Sequence, residues 1–257
     1  NGLGWIFGKW YGNNNPSRIK SYVNGTLTKD TLGLFQKPEH SVNYLESHDG
    51  YTLGDFIRLG LGEVKKDQII KNIDDHVKLT PMQLKLNKLA ALFLFTSRGI
   101  TMIHSGQEFA RSKVIPFNIP VDDPHKGMID HNSYEKDNET NYINYNHAEI
   151  NKELLDYYKG LIELRKAFKA FRRAGFNDVI FRDPKSDQFV SEYFLKYKAE
   201  EFLIILNADT KGTYVHLGLV GEYDVLVDEN SAGVTPLRTV SKSISVPPSS
   251  GIVLKKK

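Results

Sequence analysis
Residues 41–50 read Ser41-Val42-Asn43-Tyr44-Leu45-Glu46-Ser47-His48-Asp49-Gly50. The segment Ser41 to Ser47 has strand character and ends in the polar cluster His48-Asp49-Gly50. Just downstream, Thr52 to Leu61 reads as a short helix, with Thr52 as its cap and Asp55 at the capping-box position. A stronger helix begins at Thr80-Pro81, where proline at the first helical position sacrifices no hydrogen bond. Leu84, Leu86, Leu89, Ala90, Leu92 and Phe93 follow at the spacing of one buried helical face. Arg98-Gly99 stops that helix, and Ile100-Thr101-Met102-Ile103 reads as a second buried strand, ending at Ser105-Gly106. Residues 111–149 form a polar loop. Glu149 to Phe171 reads as a third helix with Leu154, Leu155, Tyr158, Leu161, Ile162 and Leu164 on its core side. Strand, helix, strand, helix is the grammar of parallel α/β units.

Working outward, residues 1–40 are irregular and rich in Gly and Asn, with Trp5 and Trp10 read as core residues. Beyond about residue 174 the grammar changes. Val179–Phe181, Phe189–Tyr197, Phe202–Asn207, Thr213–Leu217, Tyr223–Val227 and Ser243–Val246 read as short strands at close spacing, the pattern of an antiparallel sandwich. The expected division is therefore 1–173, α/β, and 174–257, all β. Two strand–helix units cannot close a barrel, and a parallel strand needs neighbours on both sides. The missing neighbours are expected upstream of Asn1.

Composition narrows the function classes. The chain has 257 residues, 40% hydrophobic and 25% charged, with 34 basic and 31 acidic residues giving a net charge of +3. That balance makes no electrostatic case for nucleic acid. Cysteine is absent, which excludes disulfides and thiolate metal sites and leaves the compartment unread. The longest apolar run, Leu89–Phe95, is too short to span a bilayer. No membrane partner and no cofactor is expected.

The residues with chemical potential gather after the first strand. A His-Asp pair at the C-terminal end of a parallel strand sits where barrel enzymes place their catalytic groups, although the same pair also suits a plain turn before Gly50. His104 and Glu108 have the spacing of a helical metal pair, but they flank Ser105-Gly106 at a strand end, so no metal site is read there. Glu108 is read as structural. His125, His131 and His147 fall in the polar loop and are expected to face solvent.

Three stretches carry a family resemblance. Val42-Asn43-Tyr44-Leu45-Glu46-Ser47-His48-Asp49-Gly50-Tyr51-Thr52-Leu53 resembles the fourth conserved region of the α-amylase superfamily (glycoside hydrolase family 13), and is most similar to pullulanase- and isoamylase-type debranching enzymes. The run from Gly99 through Gln107, Glu108 and Arg111 to Lys113 resembles their strand-eight segment. Asn132-Ser133-Tyr134, followed by Asn141-Tyr142-Ile143-Asn144-Tyr145, resembles the loop after that strand. All three occur in the family's order.

The resemblance implies the C-terminal part of a (β/α)8 TIM barrel, strands seven and eight with their helices, followed by an antiparallel β-sandwich. It implies a retaining α-glucan hydrolase acting on α-1,6 branch links through a glycosyl-enzyme intermediate. Asp49 matches the catalytic carboxylate that stabilises the transition state. His48 matches its partner on the same sugar. Glu46, Tyr51, Gln107, Arg111, Asn132 and Tyr134 complete the implied substrate-binding set. The implied partners are an α-glucan polysaccharide or oligosaccharide and the N-terminal remainder of the same enzyme. The nucleophile and the general acid are expected in that remainder, because the nearest echo of the nucleophile motif, Arg182-Asp183, lies in the β region. This chain alone is then expected to be inactive. Gly50 stands where many relatives have Asn, and Tyr145 where they have Trp. Two other readings stay open: a non-catalytic carbohydrate-binding or scaffold chain, and an α-1,4-acting amylase or transglycosylase.

Overall fold
The computed structural model describes residues 3–29, 33–118, 123–182 and 189–257. Asp183 lies outside the described residues. The chain divides into two compact units, one of Asn1–Asn43, Lys88–Met102 and Asp156–Lys257, the other of Tyr44–Asn87 and Ile103–Leu155.

In the first unit, helix α1 (Pro16–Val23) is capped by Asn15, whose side chain accepts from the Arg18 N–H. Strands β1 (Val42–Asn43) and β2 (Ile100–Thr101) pair in parallel, Val42 opposite Ile100 and Asn43 opposite Thr101. The predicted strands are there but shorter than the sequence suggests, since the chain leaves the ladder at Tyr44 and Met102. Val42 is 49% exposed and Ile100 52%. Parallel strands are ordinarily covered on both faces, so these two stand out. The described residues form this parallel pair rather than a closed barrel.

Helix α4 (Pro81–Thr96) starts in a complete capping box. Thr80 Oγ1 accepts from the Gln83 N–H, and Gln83 Oε1 accepts from the Thr80 N–H. The single third helix expected over 149–171 is three: α5 (Asn146–Ile150), α6 (Lys152–Ala167) and α7 (Ala170–Arg173). The break at Asn151 has a cause. Its side-chain amide donates to the carbonyls of Val77 and Phe109 at 2.8 and 2.9 Å, and its Oδ1 accepts from the Leu79 N–H. Arg165 of α6 reaches the carbonyls of Phe95, Ser97 and Gly99 at the end of α4. Its pKa falls to about 10, because burial and then the neighbouring Arg172 charge disfavour the cation.

The last helix ends at Arg173, and the described residues of the β region that follows form one six-stranded antiparallel sheet rather than two stacked ones. Its strands are β3 (Val179–Arg182), β4 (Val190–Tyr197), β5 (Glu200–Asn207), β6 (Tyr214–Val227), β7 (Arg238–Val246) and β8 (Ser250–Lys256), in the order β3-β4-β5-β8-β6-β7. The two strands expected at 213–217 and 223–227 are one long strand, β6, interrupted by register shifts near Gly218 and Gly221, both at positive φ. Only its second half pairs with β8. The first half swings away, and His216 Nδ1 comes 2.9 Å from Glu192 Oε1 on β4, which is not a sheet neighbour. The sheet thus curls over a core of Leu203, Ile205, Tyr223, Val225, Ile252 and Leu254. Each such side chain contributes on the order of 2 kcal/mol by burial. Its other face meets the helices, with the Phe171 ring of α7 tilted against Phe202, centroids 4.8 Å apart. Trp5 is buried against Phe93, ring centroids 5.5 Å apart.

The second unit holds α2 (Leu53–Gly60), α3 (Ile73–Val77), the start of α4, and the long polar segment. Its small apolar cluster is Val64, Ile70, Val114 and Ile129, with Tyr51 and Leu59 packed against it.

Candidate active site
All the site residues expected from sequence lie in the second unit. The turn 47–52 is pinned at both ends. Before it, Glu46 is buried; its carboxylate accepts from the Leu53 N–H at the start of α2 and meets His104 Nδ1 at 3.2 Å. After it, the Thr52 hydroxyl accepts from the Asp55 N–H as the α2 cap and donates to the Arg111 carbonyl at 2.7 Å. Between these anchors the chain turns through Gly50 at φ +73°. That left-handed geometry favours glycine and tolerates asparagine, which gives a physical reason for both residues to occur after the His-Asp pair.

His48 and Asp49 are carried on the outside of this turn. Their side chains are 69% and 67% exposed, with His48 Nε2 3.3 Å from Asp49 Oδ2. Tyr134, 54% exposed, sets its ring edge-on to His48 at a centroid distance of 6.3 Å. The Tyr134 hydroxyl donates to Glu135 at 2.7 Å; that bond, with slight burial and the Asp49 charge, raises its pKa. Asn132 is exposed too, its backbone N–H donating to Asp130 Oδ1. The structure therefore brings His48, Asp49 and Tyr134 together on an open surface.

Four other expected substrate contacts are turned inward, and the structure gives them different work. Glu46 is occupied as described. Gln107 is buried in a short 3-10 turn, its Oε1 accepting from the His104 N–H. Arg111 is buried, and its guanidinium donates to the carbonyls of Ser105 and Asn141, tying two loops together. Tyr51 packs on the small apolar cluster, 6.0 Å from the His131 ring. Burial and the charges of Asp55 and Asp130 raise its pKa. Glu108 accepts from the Gly106 N–H. In the third motif, the Asn141 amide donates to the carbonyls of Ser133 and Lys136, and the Ser133 hydroxyl donates back to Asn141 Oδ1 at 2.6 Å. His147, expected in solvent, is buried, with its Nε2 2.9 Å from Asp74 Oδ1. His125 and His131 are exposed as expected.

Sequence reasoning missed a buried charge network beneath the turn. Asp55 accepts from Arg58 Nη1 at 3.3 Å and from the Lys113 N–H at 2.9 Å. Arg58 also donates to the carbonyls of Val77 and Ala110. Burial alone would raise the Asp55 pKa, yet hydrogen bonding to His76, the Arg58 charge, Ser112 and the Lys113 N–H together hold it below the ordinary carboxylate range. Ser112, His76 and Asp55 are the residue types of a nucleophilic triad, but the geometry is wrong for one. The same nitrogen, His76 Nε2, faces both Ser112 Oγ at 3.0 Å and Asp55 Oδ1 at 3.7 Å. A triad needs the carboxylate on the opposite ring nitrogen.

No protein-family model matches the chain. It is 30% identical over 146 residues to a pullulanase of Bacillus subtilis, an overlap of 57% of this chain and 16% of that protein. It is 27% identical over 256 residues to pullulanase A of Streptococcus pneumoniae, covering 84% of this chain and 20% of the other. Its fold matches the Group B Streptococcus pullulanase SAP, solved with maltotetraose, at a TM-score of 0.73 and 21% identity, covering 98% of this chain and 36% of that one. The chain thus spans a fifth or less of the curated pullulanases it matches. In sequence the chain is similar to proteins named pullulanase and isoamylase, and in fold to a solved pullulanase.

Proposed function
We propose that this chain is part of a retaining α-glucan hydrolase that cleaves α-1,6-glucosidic branch links in pullulan-, starch- or glycogen-type substrates. The observation that carries this reading is the His48–Asp49 pair, held outward on a turn pinned at Glu46 and Thr52, just after a parallel strand. Asp49 is the fixed acceptor for sugar hydroxyls, and its hydrogen bonds strengthen as positive charge develops on the ring. His48 donates to the same sugar from a steadied ring plane. Tyr134 offers an aromatic face to a pyranose, and Asn132 an amide.

A retaining mechanism needs two further roles, a nucleophile and an acid/base. The nearby Glu46 and Asp55 are enclosed and already bonded, which supports placing both roles on sequence upstream of this chain. In this reading residues 1–173 are the C-terminal part of a (β/α)8 barrel, with β1 and β2 as strands seven and eight. The exposed faces of Val42 and Ile100 support further strands there. Residues 174–257 are the accompanying β domain.

The same enclosure of Glu46 and Asp55 also favours a second reading, a glucan-binding chain without chemistry. One experiment separates them. Pullulan and amylose are incubated with this chain alone and with the chain joined to the sequence upstream in its reading frame. Maltotriose from pullulan with the joined protein only is the expected result. Hydrolysis by the chain alone would overturn the division of roles, and preference for amylose would overturn the α-1,6 assignment. Glucan binding without hydrolysis in either sample would establish the second reading.

A further inference from the structure
We propose that Lys113 is a positioning residue that fixes the His48–Asp49 turn for sugar binding, through a hydrogen bond from its ammonium to the His48 carbonyl. This rests on the proposed glucan site. Lysine is almost never fully buried without partners, yet Lys113 is only 1% exposed. Its Nζ donates to the His48 carbonyl at 3.0 Å. Burial and the Arg111 cation lower its pKa, opposed by the charges of Glu46, Asp130 and Asp55. The backbone of Lys113 is itself fixed, its N–H donating to Asp55 Oδ2 and its carbonyl accepting from the Asp130 N–H at 2.8 Å. The side chain is therefore a strut on a rigid base. Glu46 and Thr52 pin the ends of the turn, and Lys113 holds its middle, one peptide before Asp49.

The test uses labelled protein and two readouts, amide hydrogen exchange over residues 48–51 and maltotetraose affinity by NMR titration. Lys113→Met keeps the stem and removes the donor. It should accelerate exchange at 48–51 while leaving exchange elsewhere unchanged, and weaken maltotetraose binding about tenfold, the scale of one lost hydrogen bond to a charged group. Because the chain contains no cysteine, Lys113→Cys can be aminoethylated in the unfolded state and refolded. The restored ammonium should bring both readouts back toward wild type, which a role in core filling alone would not predict, since the unmodified thiol is also apolar. Lys113→Gln takes the same comparison if Lys113→Met fails to fold. Wild-type exchange at 48–51 in the variants, or no recovery on aminoethylation, overturns the strut. Failure of the wild-type chain to bind maltotetraose overturns the glucan site instead, and the exchange arm still decides whether Lys113 holds the turn.

Discussion

Arg58 Nη1 stands 3.3 Å from Asp55 Oδ1 with both side chains fully enclosed, and this ion pair underlies the turn that presents His48 and Asp49. Removing one partner leaves the other charge buried. Arg58→Met or Asp55→Asn should therefore cost about 3–5 kcal/mol, the range for breaking a buried pair. Urea denaturation of each variant against wild type measures it.

The same carboxylate sets an acid limit. The folded-state pKa of Asp55 lies below its unfolded value. Its contribution is then fully present above the unfolded pKa, about 3.9, and is lost as pH falls through the lower folded value. Wild-type stability should drop across that window. Asp55→Asn, weaker at neutral pH, should show a flatter profile there. Urea midpoints followed from pH 6 to pH 2 provide the check.

Gly50 is a clean test of backbone geometry, because a Cβ built there would meet nothing within 4 Å. Any cost of substitution comes from its φ of +73°. Gly50→Val should destabilise the protein by about 1–2 kcal/mol, and Gly50→Asn by distinctly less. Thermal melts of the two variants side by side would show the difference.

Gly160 sets two effects against each other. Alanine is the better helix former by roughly 0.5–1 kcal/mol in a helix interior. A Cβ at position 160 of α6 would, however, lie 1.9 Å from the Ala232 carbonyl oxygen. Overpacking of that kind typically costs about 1–3 kcal/mol, so the clash wins. Gly160→Ala should lower the melting temperature; a rise would show that the 232 segment gives way freely.

Much of this was legible in the sequence where local rules and burial agree. Thr80-Pro81 announced α4, and the parallel pairing of β1 with β2 followed from strand–helix–strand order. The central strand β8 was missed. Ser250–Lys256 follows Pro247-Pro248, and its buried run shows no alternation because both faces are covered, Ile252 and Leu254 by the sheet's core and Gly251 by Leu92 of α4. β6 was read as two strands because its glycines bend the strand without ending it. At the site, the motifs located the loops that carry the candidate residues but could not separate exposed groups from enclosed ones. Glu46, Gln107 and Arg111 sit beside His48 and Asp49 in the motifs yet point inward. The buried charge network of Asp55, Arg58 and Lys113 was not foreseen, because buried charges contradict the ordinary expectation for charged residues in polar segments. Only the fold shows that they satisfy one another.

The most direct test of the account is maltotetraose titration of the chain, followed by NMR, for wild type and Asp49→Asn. The account predicts ligand-induced shifts centred on His48, Asp49 and Tyr134, with affinity at least about tenfold weaker in Asp49→Asn, where the neutral amide replaces a charged acceptor. Shifts centred elsewhere, or equal affinity in the two proteins, would contradict it.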